Sequence, residues 1–97
     1  MKIQVLKEEI LLLQLAEECS ELSQACLKMI RKIDGTNPTP KSLKELRKGL
    51  IEEIADVDNA IDAVEGKLGL PFEEITRICE EKKIRWENRL SAMEEQR

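Results

Sequence analysis

The chain has 97 residues, of which 41% are hydrophobic, 37% are charged and 2% are aromatic. This balance is typical of amphipathic helices and excludes a β-sandwich or barrel. The hydrophobic core of a chain this short gives only marginal stability unless association with a second copy extends it. A net charge of −4 argues against nucleic-acid binding as the main function, because such proteins usually display a basic surface, but it leaves room for a local basic cluster that holds a small anion. We therefore expect one all-α domain, spanning residues 1–97, that forms a homo-oligomer.

A first long helix is predicted from about Ile3 to Ile33, where apolar residues recur at helical spacing without an internal proline or glycine. Gly35 is predicted to cap its C-terminus, because glycine adopts the left-handed conformation easily. Residues 37–40, Asn-Pro-Thr-Pro, predict an extended loop, because proline lacks an amide donor and constrains the residue before it.

A second helix is predicted to begin after Ser42 and to reach about Lys67. Ser42 and Glu45 have the spacing of a capping box, which marks a helix N-terminus. The residues expected to end this helix are Gly66, Gly69 and Pro71.

A third helix is predicted from near Phe72 towards Leu90. Glu73 and Glu74 favour this start, because carboxylates suit the positive end of a helix dipole. The last residues, 94–97, are expected to fray.

A repeat relates the first two helices, since residues 17–26 return 35 positions later as residues 52–61, with acids and apolar residues in the same order. Equivalent faces on two helices joined by a short loop predict an antiparallel hairpin with approximate two-fold symmetry. We expect two long antiparallel helices and a third, C-terminal helix, which form a four-helix-bundle-type core in an oligomer.

Paired acids lie at the border of the apolar arc on both predicted helices. On a helical wheel, Glu18 falls beside the apolar residues of the first helix and Glu21 lies one step further round, while Glu53 and Asp56 occupy the equivalent places on the second. Burying unpaired carboxylates is costly, and clustering them raises their pKa values. A positive partner is therefore expected among them.

Two kinds of partner remain open for these acids, a divalent cation or lysine and arginine side chains, with Lys28 near enough to pair with Glu21 from the side. A metal would be Mg²⁺, with Mn²⁺ as a substitute, because the ligands are hard oxygens and the chain has no histidine. Gln24 and Asn59 are expected to point away from the metal face.

A basic stripe continues the apolar line of the third helix, formed by Lys82, Arg85 and Arg89. These residues either pair with Glu81 or the acidic helices, or reach over the carboxylates towards phosphate oxygens. Neither phosphate-binding glycine motif of the common nucleotide folds is present, so any phosphate must be held by metal and side chains.

The chain has three cysteines, Cys19, Cys26 and Cys79. The odd number favours reduced thiols, and the first two are expected to pack as small hydrophobic residues. No secretory signal and no membrane-spanning run is recognisable, so a cytoplasmic protein without a membrane partner is expected.

The pattern Glu17-Glu18-x-x-Glu21, followed by Glu53-x-x-Asp56, resembles the signature of the MazG-like all-α nucleoside-triphosphate pyrophosphohydrolases. The resemblance covers most of the chain, from about residue 11 to residue 90. Its other parts are Glu-Leu-x-Gln-Ala at 21–25, the Asn-Pro-Thr-Pro loop, Glu-Glu-Ile-Ala-Asp at 52–56, and the spacing of Lys82, Arg85 and Arg89.

This resemblance implies Mg²⁺-dependent hydrolysis of a deoxy- or noncanonical nucleoside triphosphate to the monophosphate and pyrophosphate, as a house-cleaning activity. It implies assembly as a dimer or tetramer in which neighbouring helices complete the site. Glu17 takes a supporting catalytic role, orienting a water, and Glu52 is left out of the site. The implied metal ligands are Glu18, Glu21, Glu53 and Asp56, and the implied phosphate-binding residues are Lys82, Arg85 and Arg89.

Two alternatives stand beside this interpretation. One is a noncatalytic helical module that oligomerises or docks another protein and uses the acids only as a charged surface. The other keeps the fold but acts on a phosphoribosyl nucleotide, as in the related histidine-biosynthesis enzymes. Acids placed twice at the apolar border favour the metal-dependent hydrolase, because an interaction module has no need of them.

Overall fold

A computed structural model describes residues 1–37 and 39–96 of the chain. Within these two ranges the regular structure is helical and contains no strand, which confirms the all-α prediction. The elements are a short 3₁₀ segment (Ile3–Val5), called the N-terminal turn, and helices α1 (Glu8–Asp34), α2 (Leu43–Leu68) and α3 (Phe72–Glu95).

The start of α1 differs from the prediction, because the helix begins at Glu8 rather than near Ile3. Lys7 has extended backbone angles and serves as the N-cap, so the chain enters the helix at an angle to the N-terminal turn. Glu8 and Glu9 then occupy the first turn, where their charges interact favourably with the helix dipole. Apolar spacing alone did not reveal this break.

The ends of the first two helices follow their capping residues. Gly35 has a left-handed φ of 77° after α1, and Gly69 has a φ of 63° after α2. The capping box at the start of α2 is confirmed, with the Glu45 amide donating to the Ser42 hydroxyl at 3.1 Å. Helix α2 passes through Gly66 and ends at Leu68.

The remaining chain-end and loop predictions have mixed outcomes. Helix α3 continues through Glu95, and the fraying of the chain end stays a prediction. Arg97 lies outside the described residues, as does Pro38, on which the extended-loop prediction depended. The cysteines Cys19 and Cys26 are free and exposed in the single chain, rather than packed as expected.

Helices α1 and α2 pack along their length as an antiparallel hairpin, in which the ammonium of Lys67, late in α2, donates to the Gln4 carbonyl just before α1 at 3.1 Å. The buried side chains lie along the seam and are Leu11, Leu46, Val57, Ala60 and Val64. Leu11 and Leu46 are equivalent in the repeat, as expected if corresponding faces meet.

Helix α3 leaves the hairpin, and no packing comparable with that between α1 and α2 joins it to either helix in the described residues. The radius of gyration is 17.5 Å, whereas a compact chain of this length has about 13 Å. Large apolar side chains stay exposed on both parts, including Ile51 at 58% and Trp86 at 60%. The protomer therefore leaves much apolar surface without a partner.

Across residues 1–37 and 39–96, none of the helices is both long enough and apolar enough to cross a membrane.

Candidate metal centre

Three carboxylates from the two hairpin helices converge on one point. Glu18 comes from α1, and Glu53 and Asp56 come from α2, where a spacing of three residues places them on one face. One carboxylate oxygen from each residue lies within 4.8 Å of the others. We call these three residues the carboxylate cluster.

Two oxygens of the carboxylate cluster are removed from solvent without a compensating contact. Oε2 of Glu18 and Oε2 of Glu53 are buried and accept no hydrogen bond from the described residues. The other carboxylate oxygen of Glu18 accepts from the Gln14 side-chain amide at 2.6 Å. Buried oxygens of this kind are destabilising unless a hydrogen-bond donor or a cation reaches them.

The electrostatics of Glu18 reflect this surplus of negative charge. Burial is the largest cause that raises its pKa above the ordinary value of 4.5, and the neighbouring Glu21 raises it further. The hydrogen bond from Gln14 lowers the pKa, while the charge of Asp56 raises it. Ionisation of Glu18 is therefore less favourable in the protein alone than ionisation of an ordinary glutamate.

The donor set of the cluster fits a divalent cation such as Mg²⁺. The available ligands are carboxylate oxygens, which Mg²⁺ and Mn²⁺ prefer, and the two orphaned oxygens supply the electrostatic reason for a cation. The alternative partners, lysine and arginine, make no ion pair with these acids in the part of the chain that is described. The ion pair formed there joins Arg77 and Glu81 at 2.9 Å, on the exposed surface of α3.

Glu21 and Glu17, the other two predicted acids, lie outside this close group. Both are exposed on α1. Glu21 lines a neighbouring depression of about 270 Å³, which we call the charged depression. The charged side chains that line it are Glu21, Lys28, Lys41, Glu45, Glu52 and Glu53. Glu52, which sequence reasoning left out, therefore lies beside the cluster.

A second depression, of about 300 Å³, adjoins the cluster towards the N-terminal turn, and we call it the apolar pocket. Its apolar walls are formed by Ile3, Leu6, Ile10, Leu11, Ala60 and Ala63. Gln14, Glu18, Asp56 and Asn59 form its polar edge. The cluster thus lies between an apolar and a charged depression along the hairpin.

Asn59 and Gln24, which were expected to point away from the metal face, are exposed and lie outside the carboxylate cluster, but each lines a depression beside it. Asn59 lines the apolar pocket, and Gln24 lines the charged depression. The helical wheel placed them outside the apolar arc, but residues on the flanks of two packed helices also line the groove between them. Placing the helical wheels of α1 and α2 side by side would have predicted that these residues line the groove, whereas each wheel alone did not.

The basic stripe of α3 is not brought to the carboxylate cluster within one chain. Lys82, Arg85 and Arg89 are exposed and line a separate depression of about 300 Å³ on α3. The expected pairing with Glu81 is absent in the described ranges, because Glu81 pairs with Arg77 instead. The three basic side chains are therefore left without an acidic partner among the residues described.

Comparison with known proteins adds no relative: no family model matches the chain, and neither a curated protein nor a solved structure is significantly similar to it.

Proposed function

We propose that the protein is a Mg²⁺-dependent nucleoside-triphosphate pyrophosphohydrolase. In this reaction, water adds across the anhydride between the α- and β-phosphates, and the products are a nucleoside monophosphate and pyrophosphate. The observation that carries the proposal is the carboxylate cluster, in which one oxygen each of Glu18, Glu53 and Asp56 lies within 4.8 Å of the others, while Oε2 of Glu18 and of Glu53 is buried without a partner in the described residues. The resemblance of the two acidic motifs to MazG-like enzymes supports the choice of substrate.

The acids of the proposed site have two roles, which are binding the cation and orienting the attacking water. Glu18, Glu53 and Asp56 hold the cation, and Glu21, on the adjacent turn of α1, completes the ligand set. The cation supplies Lewis-acid polarisation of the phosphate oxygens and neutralises their charge. Glu17 accepts a hydrogen bond from water and orients it towards the anhydride.

The basic stripe supplies the remaining positive charge when a second copy of the chain is present. Within the described residues of one chain, Lys82, Arg85 and Arg89 form no ion pair with an acid, and the carboxylate cluster forms none with a lysine or arginine. Association in a four-helix-bundle-type core, as a dimer or tetramer, covers the exposed apolar faces and brings the basic stripe near bound phosphates. Positive side chains there stabilise the charge that builds up on the departing pyrophosphate.

A noncatalytic oligomerisation module is the second candidate, and the exposed apolar surface of both α3 and the hairpin favours it. Such a module gives no reason to bring carboxylates of Glu18 and Glu53 together while one oxygen of each is buried without a partner. The two candidates differ in their products, because only the hydrolase releases pyrophosphate.

A substrate panel tests the proposed function directly. The purified protein is incubated with Mg²⁺ and a panel of canonical and noncanonical nucleoside triphosphates, together with a phosphoribosyl nucleotide, and pyrophosphate is measured. We expect pyrophosphate and monophosphate in equal amounts from at least one nucleoside triphosphate. If only the phosphoribosyl nucleotide yields pyrophosphate, the substrate is a phosphoribosyl nucleotide rather than a nucleoside triphosphate. If none of the compounds yields a product, the enzyme proposal is overturned.

A further inference from the structure

The apolar pocket has a composition suited to a flat heteroaromatic ring. Its walls come from the N-terminal turn, α1 and α2, and include Ile3, Leu11 and the small residues Ala60 and Ala63. The volume of about 300 Å³ is at the lower end of the range for small-molecule sites, which are mostly apolar with a few polar groups. A nucleobase has this shape and this mixture of an apolar face and a polar edge.

The apolar pocket is continuous with the carboxylate cluster, because Glu18 and Asp56 belong to both. A base held in the pocket therefore directs its sugar and phosphates towards the cluster. This continuity distinguishes the pocket from the depression on α3, which is lined by Trp86 and Leu90 but contains none of these acids.

Asn59 is the polar side chain best placed to read the edge of the base. It lines the pocket beside Ala60 and Ala63, and its side-chain amide makes no hydrogen bond to the described residues. The other amide on the polar edge, Gln14, already donates to Glu18. An asparagine amide offers both donors and an acceptor, so it can match a complementary pair of groups on a base.

We propose that the apolar pocket is the base subsite of the enzyme and that Asn59 determines which base is preferred. The inference rests on the proposed function for the identity of the ligand as a nucleotide. The N-terminal turn forms the outer wall through Ile3, and the hydrogen bond from Lys67 to Gln4 holds this wall against α2. The nucleotide then lies along the hairpin, with its base under the N-terminal turn and its phosphates at the cluster.

A space-filling substitution tests the subsite. Ala63→Leu fills the pocket, and Ala16→Leu makes the same change at an exposed position of α1 outside the pocket. The probes are the nonhydrolysable α,β-imido analogues of dATP, dCTP, dGTP and dTTP, titrated in the presence of Mg²⁺. Ala63→Leu is expected to weaken the binding of the best analogue at least about tenfold, since misfit in a pocket costs one to two powers of ten.

Controls separate this inference from the proposed function. Ala16→Leu should bind like the wild type, and thermal stabilisation by Mg²⁺ should be equal in all three proteins. Analogue binding that is unchanged in Ala63→Leu would overturn the subsite. If the wild type binds the analogues, Ala63→Leu does not, and no triphosphate is hydrolysed, then the subsite stands and the proposed activity fails. If the wild type binds no analogue, the subsite is overturned as well.

A second variant keeps the test decisive if Ala63→Leu does not fold. Asn59→Leu removes both the donors and the acceptor at an exposed position of α2. It is expected to change the ratio of affinities between the best and the worst analogue by about tenfold or more, because a site that hydrogen-bonds its ligand discriminates through those bonds. Equal weakening of all four analogues, or no change, would contradict the role of Asn59.

Discussion

A carboxylate oxygen of Glu18 on α1 and one of Glu53 on α2 lie within 4.8 Å of each other, and Oε2 of each residue is buried without a hydrogen-bond partner in the described residues. Like charges at this separation repel, and their burial weakens the screening by water. Either protonation of Glu18, whose pKa is raised, or a bound cation reduces this repulsion. The following predictions distinguish these two states.

Mg²⁺ should stabilise the folded protein through the carboxylate cluster. A ligand that binds only the folded state, present at a concentration one hundred times its dissociation constant, adds about 2.7 kcal/mol to the free energy of unfolding. We expect a Mg²⁺-dependent rise in melting temperature in the wild type that is lost in Glu53→Gln and kept in Glu87→Gln, a matched change on exposed α3. Equal shifts in both variants would mean that the cation binds elsewhere.

The chelated protein should gain stability from Glu18 as the pH falls. The folded pKa of Glu18 is raised above 4.5, so the folded state binds this proton more readily than the unfolded state does. The unfavourable contribution of Glu18 is full above the raised pKa, declines as the pH falls through that pKa, and is gone below the ordinary value. In EDTA, Glu18→Gln should therefore be more stable than the wild type at pH 7.

The measurement for Glu18 is a series of urea unfolding curves in EDTA from pH 7 to pH 4, for the wild type and for Glu18→Gln. Their difference in unfolding free energy isolates Glu18 from the other titrating groups. We expect this difference to shrink on acidification. A difference that is constant or grows would contradict the raised pKa.

The hairpin was predictable from sequence because its signals are local and repeated. The capping box of Ser42 and the glycine caps at Gly35 and Gly69 fix the helix ends, and the repeat places Glu18 and Glu53 at equivalent positions. These signals depend on neighbouring residues in the chain. A reader of the sequence can therefore find the cluster without knowing how the third helix packs.

The apolar pocket beside the carboxylate cluster was less predictable from sequence, because it depends on contacts between segments that are distant in the chain. The bond from Lys67 to Gln4 joins residues far apart in the chain, and it accompanies the break that ends the N-terminal turn before α1. The role of Asn59 in the pocket wall follows from the pairing of α1 with α2. The placement of α3 is set by no strong contact within the described chain, so neither periodicity nor charge pattern fixed it.

Removing one charge of the basic stripe should reduce catalysis without affecting the cation. A hydrogen bond to a charged group contributes about 1.5–3 kcal/mol, so Arg85→Met should lower kcat/KM by about tenfold or more. Lys83→Met, on the same exposed helix, is the control and should behave like the wild type. Steady-state kinetics and Mg²⁺ melts measure the two effects separately.

If the basic stripe of one copy completes the site of another, as we propose, then mixed variants should show complementation. Glu53→Gln lacks a carboxylate of the cluster, and Arg85→Met lacks part of the basic stripe, so a mixed assembly contains some sites with neither defect. We expect partial recovery of activity after the two variants are unfolded together and refolded. Activity no higher than the sum of the separate variants would show that each chain supplies both sets of residues.

The capping box of α2 should make a measurable contribution to stability. Ser42→Ala removes the acceptor of the Glu45 amide, which donates at 3.1 Å, and the loss of such a cap costs about 1 kcal/mol. Ser91→Ala, at an exposed position of α3, is the matched control. Urea unfolding at a fixed protein concentration measures both, and equal midpoints for the two variants would contradict a stabilising role for the cap.

The most direct test of the central claim is ³¹P NMR of the wild-type protein with its best nucleoside triphosphate and Mg²⁺. The bond that breaks identifies the chemistry, because cleavage between the α- and β-phosphates gives different products from cleavage between the β- and γ-phosphates. We predict signals of monophosphate and pyrophosphate that stop growing when EDTA is added. Signals of diphosphate and inorganic phosphate, or growth unaffected by EDTA, would contradict a cation-dependent pyrophosphohydrolase built on Glu18, Glu53 and Asp56.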